Sequence, residues 1–136
     1  MFSPDGRWIA YQCDESGTYQ VYVQAFPDKH GKRQISGERS GNATWSRDGR
    51  ELFFLSSPRN HLMAASYKVL GDSFVADKPR VWSEKGPLTF TSTRSYDPAP
   101  DGKRVVALMP AETPEEPPGH LIFLLNFFDE LKRRLP

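Results

Sequence analysis

Phe2-Ser3-Pro4-Asp5-Gly6-Arg7-Trp8-Ile9-Ala10-Tyr11 is written again, with changes, at two later places in the chain. The second copy is Trp45-Ser46-Arg47-Asp48-Gly49-Arg50-Glu51-Leu52-Phe53-Phe54-Leu55, and the third is Asp97-Pro98-Ala99-Pro100-Asp101-Gly102-Lys103-Arg104-Val105-Val106-Ala107-Leu108. Each copy reads as a tight turn that throws the chain into an apolar strand. Pro4 presets φ at the second turn position, Asp5 can hydrogen-bond its own backbone, and Gly6 accepts the left-handed conformation that follows. A type I turn followed by a left-handed glycine is a common hairpin connection, so the residues before Pro4 should pair with those after Gly6. Arg47 takes the proline's place in the second copy, at a cost in preorganisation but not in fold. Pro100 restores it in the third, ahead of Asp101 and Gly102. One Asp-Gly turn means little, whereas three followed by the same kind of strand indicate a duplicated module.

Gly6, Gly49 and Gly102 stand 43 and 53 residues apart. A period of roughly 40–45 residues with several short strands per unit is the mark of a propeller blade. The longer second interval predicts an insertion of about ten residues, placed in a loop.

Glu15-Ser16-Gly17 and Gln20-Val21-Tyr22-Val23 follow the first copy. Together these stretches resemble the TolB-type, WD40-like β-propeller repeat: an aromatic residue, Ser-Pro-Asp-Gly, an apolar strand, a polar turn with Gly, and a strand of Ile/Val-Tyr-Val type. The first repeat matches throughout. The second keeps Trp45-Ser46 and Asp48-Gly49 but departs at Ser57-Pro58-Arg59-Asn60, and the third is the most divergent. The tail from His120 to Pro136 is similar to the end of propeller sensor regions in bacterial Ser/Thr kinases or winged-helix regulators. The resemblance implies an open β-propeller segment within a larger sensor or scaffold, in a periplasmic or extracytoplasmic setting.

Composition agrees with an all-β chain of one domain's length. Aromatic residues make up 12% of the 136 positions, and 12 prolines and 10 glycines supply many turns. The net charge of +1 gives no global field to attract nucleic acid or an acidic membrane. No run approaches the roughly 20 apolar residues of a membrane helix. Met1-Phe2-Ser3-Pro4-Asp5 lacks the basic and apolar regions of a signal peptide. Cys13 is the one cysteine, so no internal disulfide is possible, and its place in an apolar strand suits a small core residue. Because the chain opens inside a repeat, it is expected to be a piece of a longer propeller.

The expected order is blade one at 1–36, blade two at 37–84, blade three at 85–126 and a C-terminal helix at 127–135. Trp8–Cys13, Tyr19–Ala25 and a short charged outer strand at Lys32–Ser36 build the first blade, with Asp14–Gly17 and Asp28–Gly31 as turns. Glu51–Ser56 is nearly all apolar, as a strand buried on both faces should be. His61–Tyr67 returns, and Phe74–Trp82 is read as one outer strand broken at Lys78-Pro79, tolerable on an edge. The third blade holds Thr93–Tyr96, Arg104–Met109 and a final strand His120–Leu125, after a mobile loop at Pro110–Gly119. Asn126 is suited to cap a helix whose Phe127, Leu131 and Leu135 fall on one face.

Chemical motifs are missing from the sequence. There is no Gly-x-Ser-x-Gly elbow, no kinase glycine-rich loop and no His-Arg-Asp loop. His30, His61 and His120 share no metal-ligand spacing, and Asp14-Glu15-Ser16-Gly17 lacks the alternating acids of a calcium loop. Asp5, Asp48 and Asp101 recur as turn residues, since repeated residues in a repeat protein usually serve the repeat. Trp8, Trp45 and Trp82 are read as packing residues. Lys132-Arg133-Arg134 is read as a solvated helix face and not a nucleic-acid site. No catalytic, cofactor or metal residue is assigned. The expected function is a non-enzymatic propeller segment that offers a protein- or ligand-binding surface. Its partners would be other blades, from a missing N-terminal part or from self-association, and a protein ligand. The alternative is a regulatory or substrate-gating propeller of a larger Ser/Thr kinase or prolyl-oligopeptidase-type hydrolase. An open stack of about three blades should leave one flat face of its first sheet uncovered and prone to associate.

Overall fold

The computed structural model describes residues 1–28, 30–57, 59–87 and 94–110. These form three antiparallel β-sheets, none closed on itself, and no helix. Sheet one runs β1 (Trp8–Cys13), β2 (Gln20–Ala25), β3 (Arg33–Gln34), with Phe2 bridging Ile9 on the open side of β1. Sheet two contains β4 (Ser40–Trp45), β5 (Glu51–Ser56), β6 (Leu62–Leu70), β7 (Ser73–Ala76) and β8 (Arg80–Ser83). In sheet three β9 (Tyr96–Pro98) pairs with β10 (Val105–Ala107).

The three Asp-Gly turns are the same object. The N–H of Gly6, Gly49 and Gly102 donates to the carbonyl of Ser3, Ser46 and Ala99 at 2.9, 3.1 and 3.0 Å. All three glycines have positive φ, between 64° and 70°, a region that costs an L side chain strain. Each aspartate accepts from the N–H two residues on: Asp5 from Arg7, Asp48 from Arg50, Asp101 from Lys103. Ser3, Ser46 and Ala99 then return an N–H to the carbonyls of Trp8, Glu51 and Arg104, each at 2.8 Å, which closes the hairpin. The pairing across the first turn is thus as the sequence predicts.

The first two turns add a bond that the third lacks. The buried hydroxyls of Ser3 and Ser46 accept from the N–H of Trp8 (3.0 Å) and Glu51 (2.8 Å). Ala99 has no hydroxyl to offer. Ala99→Ser should therefore stabilise the third hairpin by about 1 kcal/mol, the usual net worth of one such bond, read as a raised urea midpoint at unchanged slope.

Period-2 alternation fixes how the sheets stack. Trp8, Ala10, Val21, Val23 and Ala25 of sheet one share a core with Trp45, Leu52, Phe54 and Ala65 of sheet two. Phe53, Leu55, Leu62 and Ala64 point through the other face of sheet two and join Tyr96, Val105 and Ala107 of sheet three. Strand β5 is therefore buried on both faces, as its unbroken apolar run predicts. Trp8 and Trp45 are core residues, and Trp82 lies half-buried with its ring 6.0 Å from Phe53.

Several expectations need correction. Phe74–Trp82 is two strands, not one. β7 pairs with the far half of β6 (Tyr67–Leu70), and β8 pairs with its near half (Leu62–Ala64). Asp77 still donates its N–H to the Ser66 carbonyl at 2.8 Å, and Lys78 and Pro79 then step out of the ladder, because proline can offer it no N–H. At least part of the insertion is consequently a hairpin and not a loop. It turns at Gly71 (φ 60°) and lays Phe74 against Trp8 and Tyr67. Cys13 is not a core residue: it is half-buried at the end of β1, opposite Gln20. The C-terminal helix, the strand at His120–Leu125 and the loop beyond Pro110 lie outside the described residues.

Candidate functional site

The turns bring the sheets' corners together. A Cβ built on Gly102 would lie 3.1 Å from Asp48 Oδ2, so the third turn sits directly beside the second. Between the first and second turns is a cleft of about 480 Å³, within the size range of small-ligand sites. Pro4 and Asp5 line one side, Arg47, Asp48 and Gly49 the other, and Tyr67, Lys68 and Val69 of β6 the floor.

The cleft is lined by polar and charged groups as well as by Pro4 and Val69. Both carboxylates are occupied by their turns. Asp5 accepts from the Ser3 hydroxyl at 2.5 Å as well as from the Arg7 N–H. Partial burial opposes its charge, but these hydrogen bonds and the Arg7 guanidinium outweigh that, and its pKa lies below the ordinary carboxylate value. Asp101 is lowered too, chiefly by the Lys103 N–H. Tyr67 is held neutral: burial, reinforced by the charges of Asp5 and Asp48, pushes its phenol up to about 12. The cleft therefore offers a neutral phenol, two carboxylates held by their own backbone, and the cations of Arg47 and Lys68.

A second group of contacts ties the first strands of the sheets to one another. The Trp45 indole N–H donates to the Met1 carbonyl (3.1 Å), and the Tyr96 hydroxyl to the Asn42 carbonyl (2.5 Å). Arg94 donates to Thr44 Oγ1 (2.8 Å) and, with Arg47, faces Asp97 at 3.6 and 3.8 Å. Burial raises the Tyr96 phenol well above its ordinary value, and Arg94 only partly offsets this.

Raised phenols give a pH prediction. A phenol that ionises later in the folded than in the unfolded chain contributes stability that is complete below pH 10 and is lost as pH rises towards 12. In an ultraviolet titration Tyr67 and Tyr96 should ionise late and together with unfolding. Tyr67→Phe and Tyr96→Phe should each remove one late step.

The repeat-turn residues Pro4, Asp5, Gly6, Asp48, Gly49, Pro100, Asp101 and Gly102 are thus found at neighbouring corners. His30 lies on an exposed loop, where its carbonyl accepts from Ala25, and His61 is half-buried with its carbonyl accepting from Ser56. His120 is outside the described residues. Among the described residues no three His, Cys, Asp or Glu side chains gather in one place. Sequence reasoning missed Tyr67 and Lys68, which carry no local signal and join the turns only through the pairing of β6, and Arg94, which reaches Thr44 through its side chain. Arg47 stood out merely as a missing proline. No family model, curated protein or solved structure matches the chain.

Proposed function

We propose that the three sheets are successive blades of a β-propeller of the TolB-type, WD40-like kind, and that the chain works without catalysis as a binding surface within a sensor or scaffold assembly. The observation that carries this reading is the cleft where two equivalent turns meet over Tyr67. Its two carboxylates are held by backbone hydrogen bonds, so they are preorganised to receive a ligand and bring little entropy cost on binding. Stacked repeats create extended surfaces that repeat proteins use for binding, and Arg47, Lys68 and Tyr67 lie together on such a surface. The periplasmic or extracytoplasmic setting rests on the resemblance of the repeats.

Amide shifts of the isotope-labelled chain, followed while a panel of short peptides and small charged metabolites is added, test the reading. Shifts should cluster at Gly6, Gly49 and Tyr67, and vanish in Arg47→Glu with Lys68→Glu. Shifts that fall elsewhere, or that survive the double substitution, would contradict it.

A further inference from the structure

Each hairpin presents two faces by a fixed rule. Counted from the shared glycine, Ile9 and Tyr11 correspond to Leu52 and Phe54 in sheet two and to Val105 and Ala107 in sheet three. In sheets two and three these positions face the preceding sheet. The alternate positions, Ala10 and Phe53, face the following sheet. In sheet one the Ile9 and Tyr11 positions point away from the stack and are only half-buried. An aromatic pair obeys the same rule. Trp45 meets Tyr67 edge-on with centroids 5.0 Å apart, and Phe2 meets Phe26 edge-on at the same separation. Phe26 and Tyr67 are equivalent, since their N–H groups donate to Arg7 and Arg50, each at 2.9 Å. Trp45 is 5% exposed, covered in the core shared with sheet one, whereas Phe2 is 53% and Phe26 46% exposed. At the far end of the stack formed by the described residues Val106, the counterpart of Ala10 and Phe53, is 72% exposed, and Leu108 58%.

The described residues thus carry both halves of a contact that they already make twice among themselves. We propose that a second copy of this chain covers the outer face of sheet one, its Val106 and Leu108 lying on Phe2, Ile9 and Tyr11, with the reciprocal contact closing a head-to-tail pair. The inference rests on reading the sheets as equivalent blades. A head-to-tail contact is heterologous, and gives a closed ring when its rotation closes. Among the described residues it covers the exposed apolar side chains at both of these ends, beside the Lys32 ammonium that lies over the Tyr11 ring.

Sedimentation velocity of the full 136-residue chain is expected to show a two-chain species that dissociates on dilution. Phe2→Lys with Ile9→Lys should leave a monomer, and so should Val106→Lys with Leu108→Lys. An equimolar mixture of the two variants should regain a dimer, because one of the two contacts stays intact. These positions are exposed or half-exposed, and circular dichroism identifies a variant that has unfolded. The milder Phe2→Ser would then replace the first, with weaker association expected. A monomeric wild type at all concentrations overturns the proposal. So does a Val106/Leu108 variant that remains dimeric, which would mean face-to-face pairing of two sheet-one surfaces, and so does a mixture that fails to associate. A monomer whose cleft still responds to ligands would sink this inference alone and leave the binding role standing.

Discussion

Phe53→Ala and Phe54→Ala are each expected to cost about 3–5 kcal/mol, the usual range for emptying a buried phenylalanine site, and to loosen opposite sides of the molecule. The two residues are adjacent in β5 and both are fully buried. Phe53 lies in the core between sheets two and three, and Phe54 in the core between sheets one and two. Domains of this size have roughly 5–15 kcal/mol in all, so either change removes a large share. Hydrogen exchange would separate them. Phe53→Ala should release the amides of β9 and β10 first, and Phe54→Ala those of β1 and β2. Equal release of all strands in both variants would mean that the sheets do not stack in this order.

Alanine at the three turn glycines is the second large effect. Each has positive φ, so each substitution should cost about 1–2 kcal/mol in backbone strain. Their surroundings then set an order. Nothing lies within 4 Å of a Cβ on Gly6, and on Gly49 it would meet only the Tyr67 hydroxyl, at 3.7 Å. On Gly102 it would press on the Asp48 carboxylate at 3.1 Å. Gly102→Ala should therefore be the most damaging in urea unfolding, although it belongs to the shortest sheet described. It should also be energetically coupled to Asp48→Ala, because contacting residues are rarely additive. Equal costs and no coupling would separate the second and third turns.

The turns were legible in the sequence because their chemistry is local. Proline, aspartate and glycine act within four residues, and nothing distant is needed to predict the hairpin. β5 was legible because an unbroken apolar run has few homes besides a strand buried on both faces. β7 was not. Phe74 and Trp82 alternate plausibly with their neighbours, and only pairing partners reveal that one half follows the far end of β6 and the other its near end. The half-buried place of Cys13 is hidden from the sequence for a related reason. Its strand has two faces, and which one meets a neighbour is decided by a sheet some thirty residues away. The cleft was least legible of all. Pro4, Arg47 and Tyr67 come from three separate segments, and no window of sequence contains them together.

Nuclear Overhauser contacts between the turns test the central claim, that one hairpin module recurs and its copies stack corner beside corner. Cross-peaks should join the Gly102 α-protons to the Asp48 side chain, and the Tyr96 ring to the backbone around Asn42. Absence of both, with the third turn instead in contact with the β3 edge or with no other sheet, would contradict the account.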